Sequence, residues 1–512
     1  MMNIRRIGVL VTSAALVVTS ACGNLDVTNP NAPDVKRALA TPEDVRSLAN
    51  SSLNRWYLTS TAVEPALMFG VTADVLTANF GNFGMRFNNL EPRIPYNNTT
   101  TGSDFATAES PWYGEYAALG AANDALRAIK GGVALPTAAA TNRAIGAASL
   151  TQALALTDIA LEFDKAFILD EATDPAVKQQ LSDYKAVTAA ALTKWDALIT
   201  FLTGKTLDWS EEGNILPGVT LTATTMKQIA NTMAARLTVY SARTKAEGDA
   251  TNWAKVLTYA RGGITTDFAV TGDYNTWWAD FLTYADYGPW ISTDMRIIKK
   301  MDPTQPAKYT GTLPPKATSL DARLTTDWTY RGGVVGQAAR GVYMQSPWYH
   351  TRYDYYSWAS DNPQVGPAPY VLAAENDLLI AEALVRTGGS KTEAASLINK
   401  TRVGRGHLAP ISASATNQEF LDAILYERDI ELMNTGPGLP LYDHRRFDDL
   451  QAGTLRHLPV PAKELEVLQL PLYSFGGVGA NDKVLDVAFP DGSVMQIKVP
   501  GPIAHPSKAT GQ

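Results

Sequence analysis

Trp277, Trp278, Trp290, Trp348 and Trp358 crowd into the middle third of the chain with Tyr274, Tyr284, Tyr287, Tyr349, Tyr353, Tyr355 and Tyr356. The chemistry such residues offer is recognition. Flat indole and phenol faces stack on apolar ring faces, and they do so at low entropy cost because each side chain has few rotors. A sugar presents a C–H face of this kind inside a rim of hydroxyls. Trp278, Tyr284, Trp290, Trp348, Tyr349, Tyr355 and Trp358 lie where no helical period claims them, so they are the candidate ligand-binding residues. The competing expectation is that many of them pack inward, as large aromatics usually do.

Acid–base chemistry has a weaker claim. Glu427, Arg428, Glu431, Asp443, Arg445 and Arg446 could form a catalytic cluster, but their helical spacing reads better as local ion pairs between residues four apart. The five histidines lack metal-binding spacing such as His-x-x-x-His. No Gly-x-Ser-x-Gly elbow occurs, and the Gly404-x-Gly406 and Gly476-Gly477-x-Gly479 runs have no strand–turn–helix setting. The expectation is therefore no catalytic residue, no metal and no cofactor. A net charge of −7 without a Lys/Arg cluster excludes a nucleic-acid partner.

The single cysteine, Cys22, closes an apolar run that begins at Ile7 and follows Arg5 and Arg6. A basic start, a short apolar stretch and a small-residue cleavage site make an export signal, and a cysteine just after that site is a lipidation signal. Residues 1–21 are read as a lipoprotein signal peptide, Cys22 as the lipidated first residue, and 22–40 as a polar tether. The apolar run is short for a spanning helix, and no later stretch is read as one.

Helices must carry the rest. Thr41-Pro42-Glu43-Asp44 supplies an N-cap, a proline in the first turn and an acid, starting a helix that runs to about Tyr57. Helical periods follow at 112–130, 142–167, 183–203, 226–247 and 251–264. In the second of these, Leu150, Leu154 and Leu161 form a stripe with alanines filling the gaps, a pattern suited to close helix packing. Ser390 with Glu393 and Thr416 with Glu419 mark two more helix starts. Residues 265–365 show little period, and Lys483–Ala488 and Ser493–Val499 flank the turn Pro490-Asp491-Gly492 as a hairpin. The fold class expected is mainly α, a helical-hairpin array with a loop-rich insert and minor β hairpins. The helical scaffold covers about 41–264 and 366–435, the insert 265–365, and the C-terminal extension 476–512.

Three blocks carry a more specific signal: Ala373–Val385 with Glu393–Leu408, Ile424–Arg446, and Arg456–Leu465. Their order, with an acid-Leu-Ala-Glu-Ala helix, Asn-x-x-Arg, Glu-Arg-x-x-Glu-Leu, Asp-x-x-Arg and a Leu-Pro-x-Pro tail, resembles the SusD/RagB family of outer-membrane nutrient-uptake lipoproteins over roughly residues 22–475. The resemblance implies tetratricopeptide-like helix pairs supporting a loop-rich ligand face. It implies a cell-surface, lipid-anchored protein that captures oligosaccharides or peptides and delivers them to a SusC-like TonB-dependent outer-membrane transporter. It makes the Glu427–Arg446 charges a structural signature. Because the family's ligand face draws on an early loop, it also adds Phe80, Phe83, Arg86 and Asn88 to the candidates. The alternative is a surface-anchored glycoside hydrolase or other enzyme.

Overall fold

The computed structural model describes residues 41–478 except 103, 175, 214 and 289, together with the backbone of Lys483–Ala488 and Val494–Val499. The signal peptide, the tether and Cys22 lie outside the described residues.

Helix α1 (Pro42–Ser60) begins where the sequence places it, with Thr41 Oγ1 accepting from the Asp44 amide at 3.2 Å. It lies across α2 (Ala106–Lys130) and α3 (Ala138–Glu162), and Gly114 of α2 lets the helices meet, since a Cβ there would fall 2.4 Å from the Thr59 side chain. From α3 onward each helix packs on its successor: α4 (Tyr184–Leu202), α5 (Ala223–Tyr240) and α6 (Trp253–Arg261). The array then resumes with α7 (Ala373–Thr387), which packs on α6, and continues through α8 (Lys391–Arg402) and α9 (Asn417–Glu431). The mainly helical array of paired helices expected from the sequence is the fold observed.

Boundaries differ by more than three residues in three places, and the helix expected over 112–130 already begins at Ala106. The helix expected over 142–167 ends at Glu162, because Lys165–Phe167 (β1) pairs with Leu181–Asp183 (β2). The helix expected over 226–247 breaks after Tyr240, and a short second helix, Lys245–Asp249, is capped by Thr244. Helix α3 is also long and apolar enough to cross a membrane, contrary to the reading that no later stretch is. Its most apolar window is 89% buried by neighbouring helices, so it serves as the core of the array. The bare carbonyls at its C-terminus are capped by two buried arginines. Arg243 donates to Ala160 O and Leu161 O at 2.7 and 2.6 Å, and Arg445 donates to Leu161 O at 3.0 Å. Cations are favoured at that end of a helix dipole.

The insert between α6 and α7 leaves and returns through one ribbon. Phe268–Asp273 (β3) pairs antiparallel with Val365–Val371 (β6), with a register shift between Phe268 and Ala269. This closes the long excursion at its base. Inside it, Trp328–Tyr330 (β4) pairs with Trp348–His350 (β5), and short helices cover Asp280–Ala285 and Met295–Met301. Near the C-terminus, Lys483–Ala488 (β7) and Val494–Val499 (β8) pair antiparallel.

Candidate functional site

Five of the candidate rings meet. Tyr284 sits on the Asp280–Ala285 helix and Trp290 on the turn that follows, where the Trp290 amide donates to Tyr287 O at 2.9 Å. Their ring centroids are 5.2 Å apart. Phe83 lies 6.0 Å from Trp290 in a stacked pair and 5.6 Å from Tyr284, and Phe80 lies 6.3 Å from Trp290. Trp358 reaches Tyr284 at 6.3 Å, held by its amide donating to Thr283 O. Loops far apart in sequence thus build one aromatic platform. Trp358 is 39% exposed and the other four rings are partly buried, so the cluster packs on the core below and is partly open to solvent. Phe83 adopts φ 54°, a left-handed backbone that a bulky residue rarely takes and that is found where function constrains a loop.

The backbone under the platform is held from two sides. Asn79, 1% exposed, donates to Ser292 Oγ at 2.7 Å and accepts from Thr77 Oγ1 at 2.8 Å, which locks the Phe80 loop to the segment bearing Trp290. From the other side, a glycine-rich strap over 332–341 leans on the same loop. The Gln337 amide donates to Asn79 O at 3.0 Å, and the Arg340 guanidinium donates to Phe80 O. Gly336 makes the approach possible: it sits at φ 133°, and a Cβ there would fall 2.4 Å from Asn79 O. Sequence reasoning missed Asn79, Gly336 and Arg340. The run Gly332-Gly333-Val334-Val335-Gly336 was the available signal, but only the fold shows what it touches.

The remaining candidates lie elsewhere. Trp348 and Tyr349 are each 1% exposed, so burial takes them off the candidate surface. Trp348 packs against Tyr330 across the β4–β5 pair, and Tyr349 packs under the Arg331 guanidinium at 4.2 Å. Asn88 turns inward, 5% exposed, and closes its own turn by donating to Gly84 O at 2.7 Å. Arg86 flanks the platform loop with its guanidinium 5.2 Å from the Phe87 ring. Tyr355, 43% exposed, donates to Pro367 O at 2.6 Å and pairs with Tyr353 and Tyr356. Trp278 is partly buried and accepts at its carbonyl from Thr61 Oγ1. Among the described residues no ring pair links Trp278 or Tyr355 to the five.

The charged block near the C-terminus does structural work, though its partners are not the expected ones. Glu427 and Glu431 both hold Arg323, far upstream in the insert, rather than Arg428 between them. Arg428 and Arg446 converge on Glu382 of α7 and on Asp443. All these groups are buried, and a buried cation on α9 turns toward the adjacent helix where a carboxylate can offset its desolvation. Burial alone would raise the Glu382 carboxyl, but Arg446 and Arg428 outweigh it and hold it well below the usual range. His444 is likewise desolvated, yet Asp429 and Asp449 raise it to about 10. Among the described residues no group of three His, Cys, Asp or Glu side chains is arranged to hold a metal.

Residues 373–465 match the model of the SusD family, the span that holds this charged block. The fold is that of SusD superfamily proteins of known structure. One from Bacteroides vulgatus superposes with a TM-score of 0.56 at 16% identity, covering 84% of this chain and 97% of its own. A SusD-like carbohydrate binding protein from the same organism gives 0.55 at 15% identity, with 90% of each chain covered. Surface glycan-binding protein A from Bacteroides uniformis gives 0.55 at 17% identity, covering 80% and 89%. No curated protein sequence matches the chain.

Proposed function

We propose that this chain is a surface glycan-binding lipoprotein that captures oligosaccharides on the aromatic platform and passes them, unchanged, to a SusC-like TonB-dependent transporter of the outer membrane. The observation that carries this reading is the convergence of Phe80, Phe83, Tyr284, Trp290 and Trp358 from three separate segments into one partly exposed aromatic platform. Adjacent ring faces suit a chain of sugar units, each offering a C–H face, better than they suit a bond-breaking site. The SusD family match and the glycan-binding names of two structural relatives support the same reading. In it, Cys22 carries the lipid, residues 22–40 are the tether, 41–475 form the binding domain and 476–512 an extension.

The test is calorimetric titration of the protein with a panel of oligosaccharides and, as the contrast, short peptides. Trp290→Ala is expected to weaken glycan binding by more than about tenfold, the loss typical of an aromatic hot spot. Chromatography of the ligand after prolonged incubation is expected to return it intact. Peptide binding in place of glycan binding, or product formation abolished by one acidic-residue substitution, would overturn the corresponding part of the proposal.

A further inference from the structure

The platform's charge is uneven, and this bears on what kind of glycan it takes. The chain carries 51 acidic residues and a net charge of −7, yet residues 75–90 and 328–353, which supply the Phe80–Phe83 loop and the strap, contain no Asp or Glu. They do contain arginines. Arg340 donates to Phe80 O, and the Cβ of Arg86 lies close to Gly81 while its guanidinium rests over the neighbouring Phe87 ring, so both arginines belong to the Phe80 end of the cluster. Neither has a carboxylate partner among the described residues; Arg86 rests against the Phe87 ring and Arg340 on a carbonyl. This is unlike the arginines beneath: Arg93, Arg296, Arg323, Arg428 and Arg446 each hold at least one carboxylate. The acids that bracket these segments are also spoken for. Asp74 holds Arg93, Glu91 holds Arg296 and Asp327 holds Arg405, while Asp286 is buried against His350, Asn434 and the Tyr353 amide. The exposed acids of this region, Asp354 and Asp361, lie within four residues of Trp358 in the chain, away from the Phe80 loop in sequence.

An unpaired guanidinium at the edge of a ring-stacking surface is a donor fork for a planar or tetrahedral oxyanion. We infer that the platform selects acidic oligosaccharides, with Arg86 and Arg340 receiving a uronate carboxylate or a sulfate at the Phe80 end while the rings stack on the sugar faces. This inference rests on the glycan-binding reading and adds the ligand's charge to it.

The experiment titrates the full protein with two matched pairs: oligogalacturonates against their methyl-esterified forms, and sulfated against desulfated galactan oligosaccharides. The first pair asks for a carboxylate and the second for a sulfate. Each titration is run at about 0.02 M and about 0.3 M salt. At least one acidic member is expected to bind about tenfold or more tighter than its neutral partner, with the margin shrinking in high salt. The variants Arg86→Gln and Arg340→Gln, singly and together, are expected to erase that margin while leaving the thermal midpoint nearly in place, since neither guanidinium holds a carboxylate among the described residues. Trp290→Ala is expected to weaken both members of a pair alike. Equal affinity within both pairs, or a margin that survives the double substitution, overturns the inference while the glycan-binding reading stands. Binding of neither pair nor any neutral glycan, or binding of an acidic peptide instead, overturns both.

Discussion

Trp290 and Trp348 are the same residue type in the same insert but differ in burial, and the proposed function gives them different roles. Trp348 is 1% exposed within the main core, so Trp348→Ala is expected to cost about 3–5 kcal/mol of stability. Trp290→Ala, which removes a ring only partly buried, is expected to lower the thermal midpoint much less than Trp348→Ala does and to reduce affinity. Melting and titration on both variants check this; a sharp midpoint loss for Trp290→Ala would make it scaffold. Glu115 supports a second prediction. Its carboxylate is buried with no hydrogen-bond partner among the described residues, and burial, with Asp158 and Glu162 nearby, raises it well above its ordinary value. At acid pH both the folded and the unfolded chain hold this proton. As pH rises above the unfolded carboxylate value of about 4.3, the unfolded chain releases it while the folded chain retains it, so stability falls with rising pH. Glu115→Gln removes that dependence. The variant is expected to melt higher than wild type at pH 8, with the gap closing toward pH 5; a gap independent of pH would refute the assignment.

At the scale of elements, the helical array is tied together by buried charge as well as by apolar packing. Glu382 on α7 holds Arg428 of α9, Arg446 beyond it and Arg386 on its own helix. Removing it strands guanidiniums away from water, so Glu382→Ala is expected to cost about 3–5 kcal/mol in denaturant unfolding. The strap is a different kind of element, with none of its residues buried, and is positioned by a few contacts to the Phe80 loop backbone. Gly336→Ala would drive a Cβ into the Asn79 carbonyl. It is expected to shift Phe80 and weaken ligand binding several-fold while changing the midpoint little, which paired titration and melting would detect. An unchanged affinity would separate the strap from the platform.

For the whole molecule, the helical scaffold holds the base of the insert through the β3–β6 ribbon, and the insert returns to the array at α7. In the proposed function, this base holds the aromatic loops while the ligand is presented to a transporter. In native membranes solubilised in mild detergent, the chain is expected to co-purify with a much larger transporter, since a stable assembly of this kind buries more than ~1,000 Å². Mass spectrometry of the same preparation is expected to find Cys22 diacylated at the mature N-terminus. Recovery as a free monomer, or an unmodified Cys22, would remove the transporter or the anchor from the reading.

Short-range chemistry was enough to specify the helices and their capping. Thr41 and Thr416 are caps as expected, and the Leu150–Leu161 stripe faces inward, because helix periodicity and cap chemistry act over four or five residues. It was enough for the SusD-like block as well, since buried charges at fixed spacings tolerate few alternatives. The ends of α3 and α5 were less legible, because long-range contacts meet the helices there: the β1–β2 pair follows α3, and the buried Arg445 guanidinium donates to Tyr240 O at the end of α5. Which aromatics form the platform emerges only in three dimensions. Trp348, Tyr349 and Asn88 look in sequence like Trp290, Tyr284 and Arg86; the β4–β5 pairing and a local turn bury the first three, while the Asn79 hub and the Gly336 contact gather loops from residues 80, 290 and 340 at one place. Exposure of a ring depends on what packs behind it, and no local pattern of residues encodes that.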